Sequence, residues 1–146
     1  MNVSEIMTTD FEMIDSTNSL TQAAEKMKSL NVGFLPVKEG TRLVGLITDR
    51  DIVIRGLAEG KNPGATQVKD IISSRILYCF DDDSVEEAAR LMEDNQIRRL
   101  IIVNHDQTPV GILSIGDIAV KSGQEQLAGE ILERDKVRFG TMMTKE

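Results

Sequence analysis

The sequence predicts an α+β fold built from two β-α-β-β-α units packed by pseudo-twofold symmetry. Three observations predict it. Val3-Ser4-Glu5-Ile6-Met7-Thr8 is echoed by Val68-Lys69-Asp70-Ile71-Ile72-Ser73, an offset of 65 (68 − 3). Ser19 to Met27 is echoed by Ser84 to Met92 at the same offset (84 − 19), and Gly45 by Gly111 at 66 (111 − 45). The third observation is a repeated junction: Gly, two apolar residues, Thr or Ser, two residues, Asp. It reads Gly45-Leu46-Ile47-Thr48-Asp49-Arg50-Asp51 and Gly111-Ile112-Leu113-Ser114-Ile115-Gly116-Asp117. Repeats at such a period mark duplicated supersecondary units.

Within each copy the elements follow in order. A short opening turn (3–7, 68–72) precedes a short strand (12–14, 76–80). A capping box then starts a helix: Ser19 with Gln22 three on, and Ser84 with Glu87 three on. Leu20, Ala23, Ala24, Met27 and Leu30 keep helical spacing, as do Val85, Ala88, Ala89 and Met92. Two apolar runs flanking a polar turn read as a hairpin, 32–37 with 43–47 and 97–103 with 110–113. The one-residue change of offset falls in the second hairpin turn, near Asn104-His105-Asp106-Gln107. A second helix follows Thr48 and Ser114. The predicted boundaries are 1–60, a linker at 61–66, 67–125, and a tail at 126–146 that has an amphipathic pattern (Leu127, Ile131, Leu132).

Composition narrows the function. Apolar residues at 40% support a packed core, whereas aromatics at 3% and a net charge of −7 speak against nucleic-acid binding. No apolar run approaches the roughly 20 residues a membrane span needs, and the N-terminus shows no secretory core. A soluble cytoplasmic protein is expected. Cys79, the only cysteine, lies between Tyr78 and Phe80 in a strand and reads as a buried thiol. His105, the only histidine, sits in a turn with Asp106 as its neighbouring donor, so no metal site is expected. Asp81-Asp82-Asp83 supplies negative charge before a helix start, where a hydrated cation can visit. The stretch Gly56–Gly64 resembles a phosphate-binding loop but has the wrong spacing and no Ser or Thr after its Lys. No base and nucleophile pair up, so an enzyme is not expected.

The repeated junction is where chemistry is expected. A hydroxyl at the last strand residue can cap the helix or face a ligand, and a carboxylate one turn on can accept from a vicinal diol such as a ribose. Helix starts of this kind also accept phosphate.

These junctions, preceded by "NVGFLPV" and "QIRRLIIV", resemble the cystathionine β-synthase (CBS) domain, and two in tandem resemble a Bateman module. The resemblance covers about residues 1–125. It implies a regulatory module whose two halves bind an adenosyl ligand: AMP, ADP, ATP, S-adenosylmethionine or NAD. It also implies a homodimer, with an effector protein as a possible partner. In one site the resemblance gives Asp117 the ribose diol and Ser114 the ribose or phosphate. Arg98 and Arg99 go to phosphate, Ile112 lies alongside, and Met13, Val32, Gly33 and Phe34 go to the base. In the mirror site it gives Asp51 and Thr48 with Leu77, Tyr78 and Ile97. The first repeat has Gly33 and Phe34 where the second has Arg98 and Arg99, so the Asp117 site is expected to favour phosphorylated ligand. Strand alternation predicts that the two arginines do not face the site equally. A second departure is Ile101 at the position of Pro36. The competing expectation is a dimeric interaction scaffold with vestigial clefts, its Ser, Thr and Asp acting only as caps.

Overall fold

A computed structural model describes residues 1–72, 76–121 and 129–132. The chain forms two compact units, one from Glu12–Ile76 and one from Met1–Phe11 with Leu77–Glu146. The first contains β1 (Ile14–Asp15), α1 (Leu20–Leu30), β2 (Phe34–Glu39), β3 (Arg42–Thr48) and α2 (Asp49–Asp51). α2 widens directly into a π-helical stretch, Ile52–Leu57. The second contains β4 (Tyr78–Phe80), α3 (Val85–Asn95), β5 (Arg99–Val103), β6 (Pro109–Ser114) and α4 (Ile115–Lys121). Each unit holds a three-stranded sheet, ordered β1-β2-β3 or β4-β5-β6, with the first pair parallel and the second antiparallel. The α+β class and the duplicated unit are therefore as the sequence indicates.

The helices start and stop where local chemistry dictates. Ser19 Oγ accepts from Gln22 N–H and Gln22 Oε1 from Ser19 N–H; Ser84 Oγ accepts from Glu87 N–H. Asn31 and Gln96 end α1 and α3 in the left-handed region, each at φ 55°. The next N–H in each case, Val32 or Ile97, reaches back to Met27 or Met92. Those residues complete a helix end, which is why β2 begins at Phe34 and β5 at Arg99 rather than at 32 and 97. Burial separates the two helices. Ala88, Ala89 and Met92 are fully buried, whereas Ala24 is exposed and Leu30 is 36% exposed.

The first hairpin turns at Gly40, whose φ of +63° suits a residue without Cβ. The second takes a longer turn through Asn104–Thr108, and Asn104 Oδ1 accepts from the N–H groups of Asp106 and Thr108. The extra residue of the second repeat is accommodated there.

The opening turns pack away from the strands that follow them in sequence. Val3 N–H donates to Asp83 O, Ser4 N–H to Asp81 O, and Thr8 pairs with Ile112 through both backbone groups. Val3 and Ile6 are buried with Val85, Ala88, Leu100 and Leu113. In the other unit Val68 N–H donates to Asn18 O, Lys69 N–H to Ser16 O, and Val68 and Ile71 join Ile14, Leu20 and Val37. Burying each such aliphatic side chain contributes about 1.5–3 kcal/mol. The junction glycines make room for these arms. A Cβ at Gly111 would overlap Met7 Sδ, and one at Gly45 would lie 2.5 Å from Ile72 Cδ1.

No helix among the described residues is long and apolar enough to cross a membrane. Of the tail, residues 129–132 are helical, with Ile131 1% exposed and part of the same core as Ile118. Leu127 lies outside the described residues.

Candidate functional site

The two repeated junctions fold alike. Asp51 N–H donates to Thr48 Oγ1 and Thr48 N–H to Asp51 Oδ2, both at 3.0 Å. Asp117 N–H donates to Ser114 Oγ and Ser114 N–H to Asp117 Oδ2, also both at 3.0 Å. The three-residue spacing of hydroxyl and carboxylate is thus a reciprocal cap that satisfies helix-start donors.

What differs is the other carboxylate oxygen. Asp117 Oδ1 pairs with Lys121 Nζ at 3.0 Å, Thr8 Oγ1 lies 3.4 Å from both Asp117 oxygens, and the Asp117 side chain is 11% exposed. Asp51 Oδ1 has Arg55 Nε at 4.0 Å, and its side chain is 25% exposed. The first-repeat carboxylate is therefore the more open of the two.

The strand pairing confirms which residues correspond. Phe34 pairs with Thr48 and Arg99 with Ser114. Gly33 O accepts from Asp49 N–H, as Arg98 O accepts from Ile115 N–H. Arg98 and Arg99 both line a cavity of about 540 Å³, together with Ser114, Ile115 and Gly116. Arg98 lies just before β5 and Arg99 is its first residue. Ala119, Gly129 and Leu132 complete the wall. Two arginines and a serine beside an apolar surface suit an anion carried on a flat apolar group. The sequence reading missed the wall residues from α4 and the tail, although the amphipathic pattern at Ile131 and Leu132 was their signal.

The remaining expected residues fall as follows. Ile112 pairs with Ile101 and exchanges backbone bonds with Thr8. Leu77 and Ile97 are partly buried against the core, and Tyr78 is 37% exposed. In the other unit, Met13 O accepts from Lys26 Nζ, Val32 is 39% exposed, and a Cβ at Gly33 would lie 3.0 Å from Asp49 Oδ2. The structure brings Arg98, Arg99 and Ser114 together around one cavity, with Asp117 bonded to Ser114. It brings Phe34 beside Thr48, which is bonded to Asp51.

Cys79 is buried, and desolvation with the nearby Asp83 and Glu87 charges pushes its thiol up to about 12. It carries no useful thiolate at neutral pH. His105 Nε2–H donates to Asp82 Oδ2, 2.9 Å away, and the pairing raises the histidine pKa and lowers that of Asp82. Sequence proximity pairs His105 with Asp106; the fold places Asp82 at its ring.

Comparison with known proteins agrees with the geometry. The family model described as the CBS domain matches residues 3–57 and 68–122. The chain is 38% identical to the CBS domain-containing protein YhcV of Bacillus subtilis, over 90% of this chain and 92% of that protein. Among solved structures it resembles CBSX2 in complex with AMP, with TM-score 0.72 and 26% identity over 86% of this chain and 98% of the other. It also resembles the CBS domain pair of MJ0100 in complex with 5′-methylthioadenosine and S-adenosyl-L-methionine, with TM-score 0.70, 26% identity and the same coverage.

Proposed function

This chain belongs to the CBS domain family as a tandem pair, and we propose that it is a regulatory module that binds an adenosyl ligand and reports energy or metabolite status. The observation that carries the reading is the cavity of about 540 Å³ at which Arg98, Arg99 and Ser114 converge. Guanidinium forks match phosphate oxygens, and the apolar wall of Ile115, Ala119 and Leu132 suits a base or sugar face. The complexes of CBSX2 with AMP and of MJ0100 with S-adenosylmethionine support the adenosyl class. In this reading Asp117 and Asp51 are the ribose acceptors, and the repeats span 1–60 and 67–125, with 61–66 as linker and 126–146 as tail. The protein works in the cytoplasm as a non-catalytic homodimer. It transmits its state to an effector protein by binding ligand more tightly in one arrangement than another, since only differential affinity shifts an equilibrium.

A dimeric scaffold with vestigial clefts is the second reading. The reciprocal caps favour it, because they employ Thr48, Asp51, Ser114 and Asp117 without any ligand. Val53, Ile54 and Leu57, each 46–53% exposed on the π-helical stretch, offer it an apolar contact surface.

Calorimetric titration with AMP, ADP, ATP, S-adenosylmethionine and NAD, with and without magnesium, separates the two. Saturable binding that weakens in Arg99→Ala supports the sensor. No heat from folded, ligand-free protein with any of the five supports the scaffold.

A further inference from the structure

We propose that Asp81, Asp82 and His105 form a surface site for one hydrated transition-metal dication of the zinc class. None of the three lines the arginine cavity. One donor atom from each residue lies within 4.8 Å of the others. They come from two chain segments, the loop between β4 and α3 and the turn between β5 and β6. Parallel pairing of Phe80 with Val103, continued by Asp81 N–H to Val103 O at 3.0 Å, holds those segments together.

The imidazole is fixed by packing. Its ring stacks on Phe80 with centroids 4.5 Å apart and planes 8° from parallel, and Nε2 points at Asp82. Metal bonds of 2.0–2.2 Å place tetrahedral donors roughly 3.3 Å apart, so closing the triad takes only a small side-chain rotation. Two carboxylates and a neutral imidazole balance a dication. Asp83, the third acid of the run, is committed to Phe80 N–H at 2.9 Å. Imidazole among the donors selects zinc, cobalt or nickel over magnesium and calcium, which take oxygen. With His105 and Asp82 side chains 66% and 62% exposed, water completes the coordination.

The test uses the metal-stripped full chain titrated with zinc chloride at pH 7.5, by calorimetry and by competition with a chromophoric chelator. One zinc per chain at micromolar affinity is expected. His105→Gln and Asp82→Asn are each expected to weaken it by at least about tenfold. Asp106→Asn, in the same turn, is expected to leave it unchanged, and excess magnesium to leave the zinc in place. The imidazole resonances of His105, the chain's only histidine, are expected to move with zinc occupancy. Circular dichroism checks that the exposed substitutions leave the fold intact. Binding no tighter than millimolar, binding indifferent to His105→Gln, or equal loss in Asp106→Asn would overturn the proposal.

Discussion

Lys121 Nζ lies 3.0 Å from Asp117 Oδ1, on the opposite side of the carboxylate from the oxygen held by Ser114 N–H. The pair is an i,i+4 contact on α4 with the lysine 46% exposed. In the proposed site a ribose diol on Asp117 competes with that ammonium for Oδ1. Lys121→Ala is therefore expected to tighten adenosine binding by about two- to fivefold, the worth of a partly exposed ion pair. Calorimetry on the variant reads this directly; weaker binding would show that Lys121 is itself a ligand contact.

Arg98 and Arg99 are expected to act on phosphate alone. Arg98→Ala and Arg99→Ala should each weaken AMP or ATP by about tenfold, the loss of one charge-assisted hydrogen bond. Adenosine affinity should hold constant. Equal losses for nucleotide and nucleoside would instead place the arginines in structural support of the cavity wall.

The glycines of the junction are expected to be limited by the opening arms. Gly111→Ala drives a methyl into Met7, and Gly45→Ala drives one into Ile72. At Gly111, where Met7 Cγ also lies within 2.7 Å, the overpacking costs about 1–3 kcal/mol, a fall of roughly 3–10 °C in Tm for a chain of this size; at Gly45 the methyl meets only the rotatable end of Ile72, and the loss should be smaller. Met7→Ala in the Gly111→Ala background should recover part of the loss, because residues in contact are coupled. Additive losses in that double variant would disprove the contact.

Cys79 gives a pH prediction with a definite sign. Its folded-state thiol titrates at about 12 against an ordinary 9.0, so the fold favours the protonated form. The unfolded chain sheds that proton first, and stability falls as pH rises from about 9 towards 12. Cys79→Ala should flatten the alkaline limb of a Tm-versus-pH curve. Alkylation of Cys79 at pH 8 should need unfolding; rapid labelling of native protein would contradict its burial.

Much of this is legible in the sequence because it is local. Ser19 with Gln22 names a helix start, Gly40 names a turn, and Thr48 with Asp51 names a cap, all within a few residues. The arms are not legible: nothing in Val3–Met7 says that its partners are Val85 and Leu113 rather than the nearby Ile14. Burial of equivalent positions is not legible either, as exposed Ala24 and buried Ala89 show. At the candidate site the arginine pair is visible as charge. The lysine over Asp117 and the aspartate beside His105 depend on helix phase and parallel pairing. The widening of the helix after Asp51 leaves no mark in Ile52–Leu57 that periodicity detects.

The division of the chain also orders its birth. Met1–Phe11 are synthesised before Glu12–Ile76, yet the core they complete is made of residues from Leu77 onward. Glu12–Ile76 can close as soon as the Val68 arm has been synthesised, whereas Met1–Phe11 must wait for β6 and its glycine. Chains generally fold unit by unit during synthesis. Here Glu12–Ile76 matures before the segment that precedes it. A product stalled or truncated after Ile76 is thus expected to hold one finished unit preceded by an apolar segment, 1–11, with nowhere to dock.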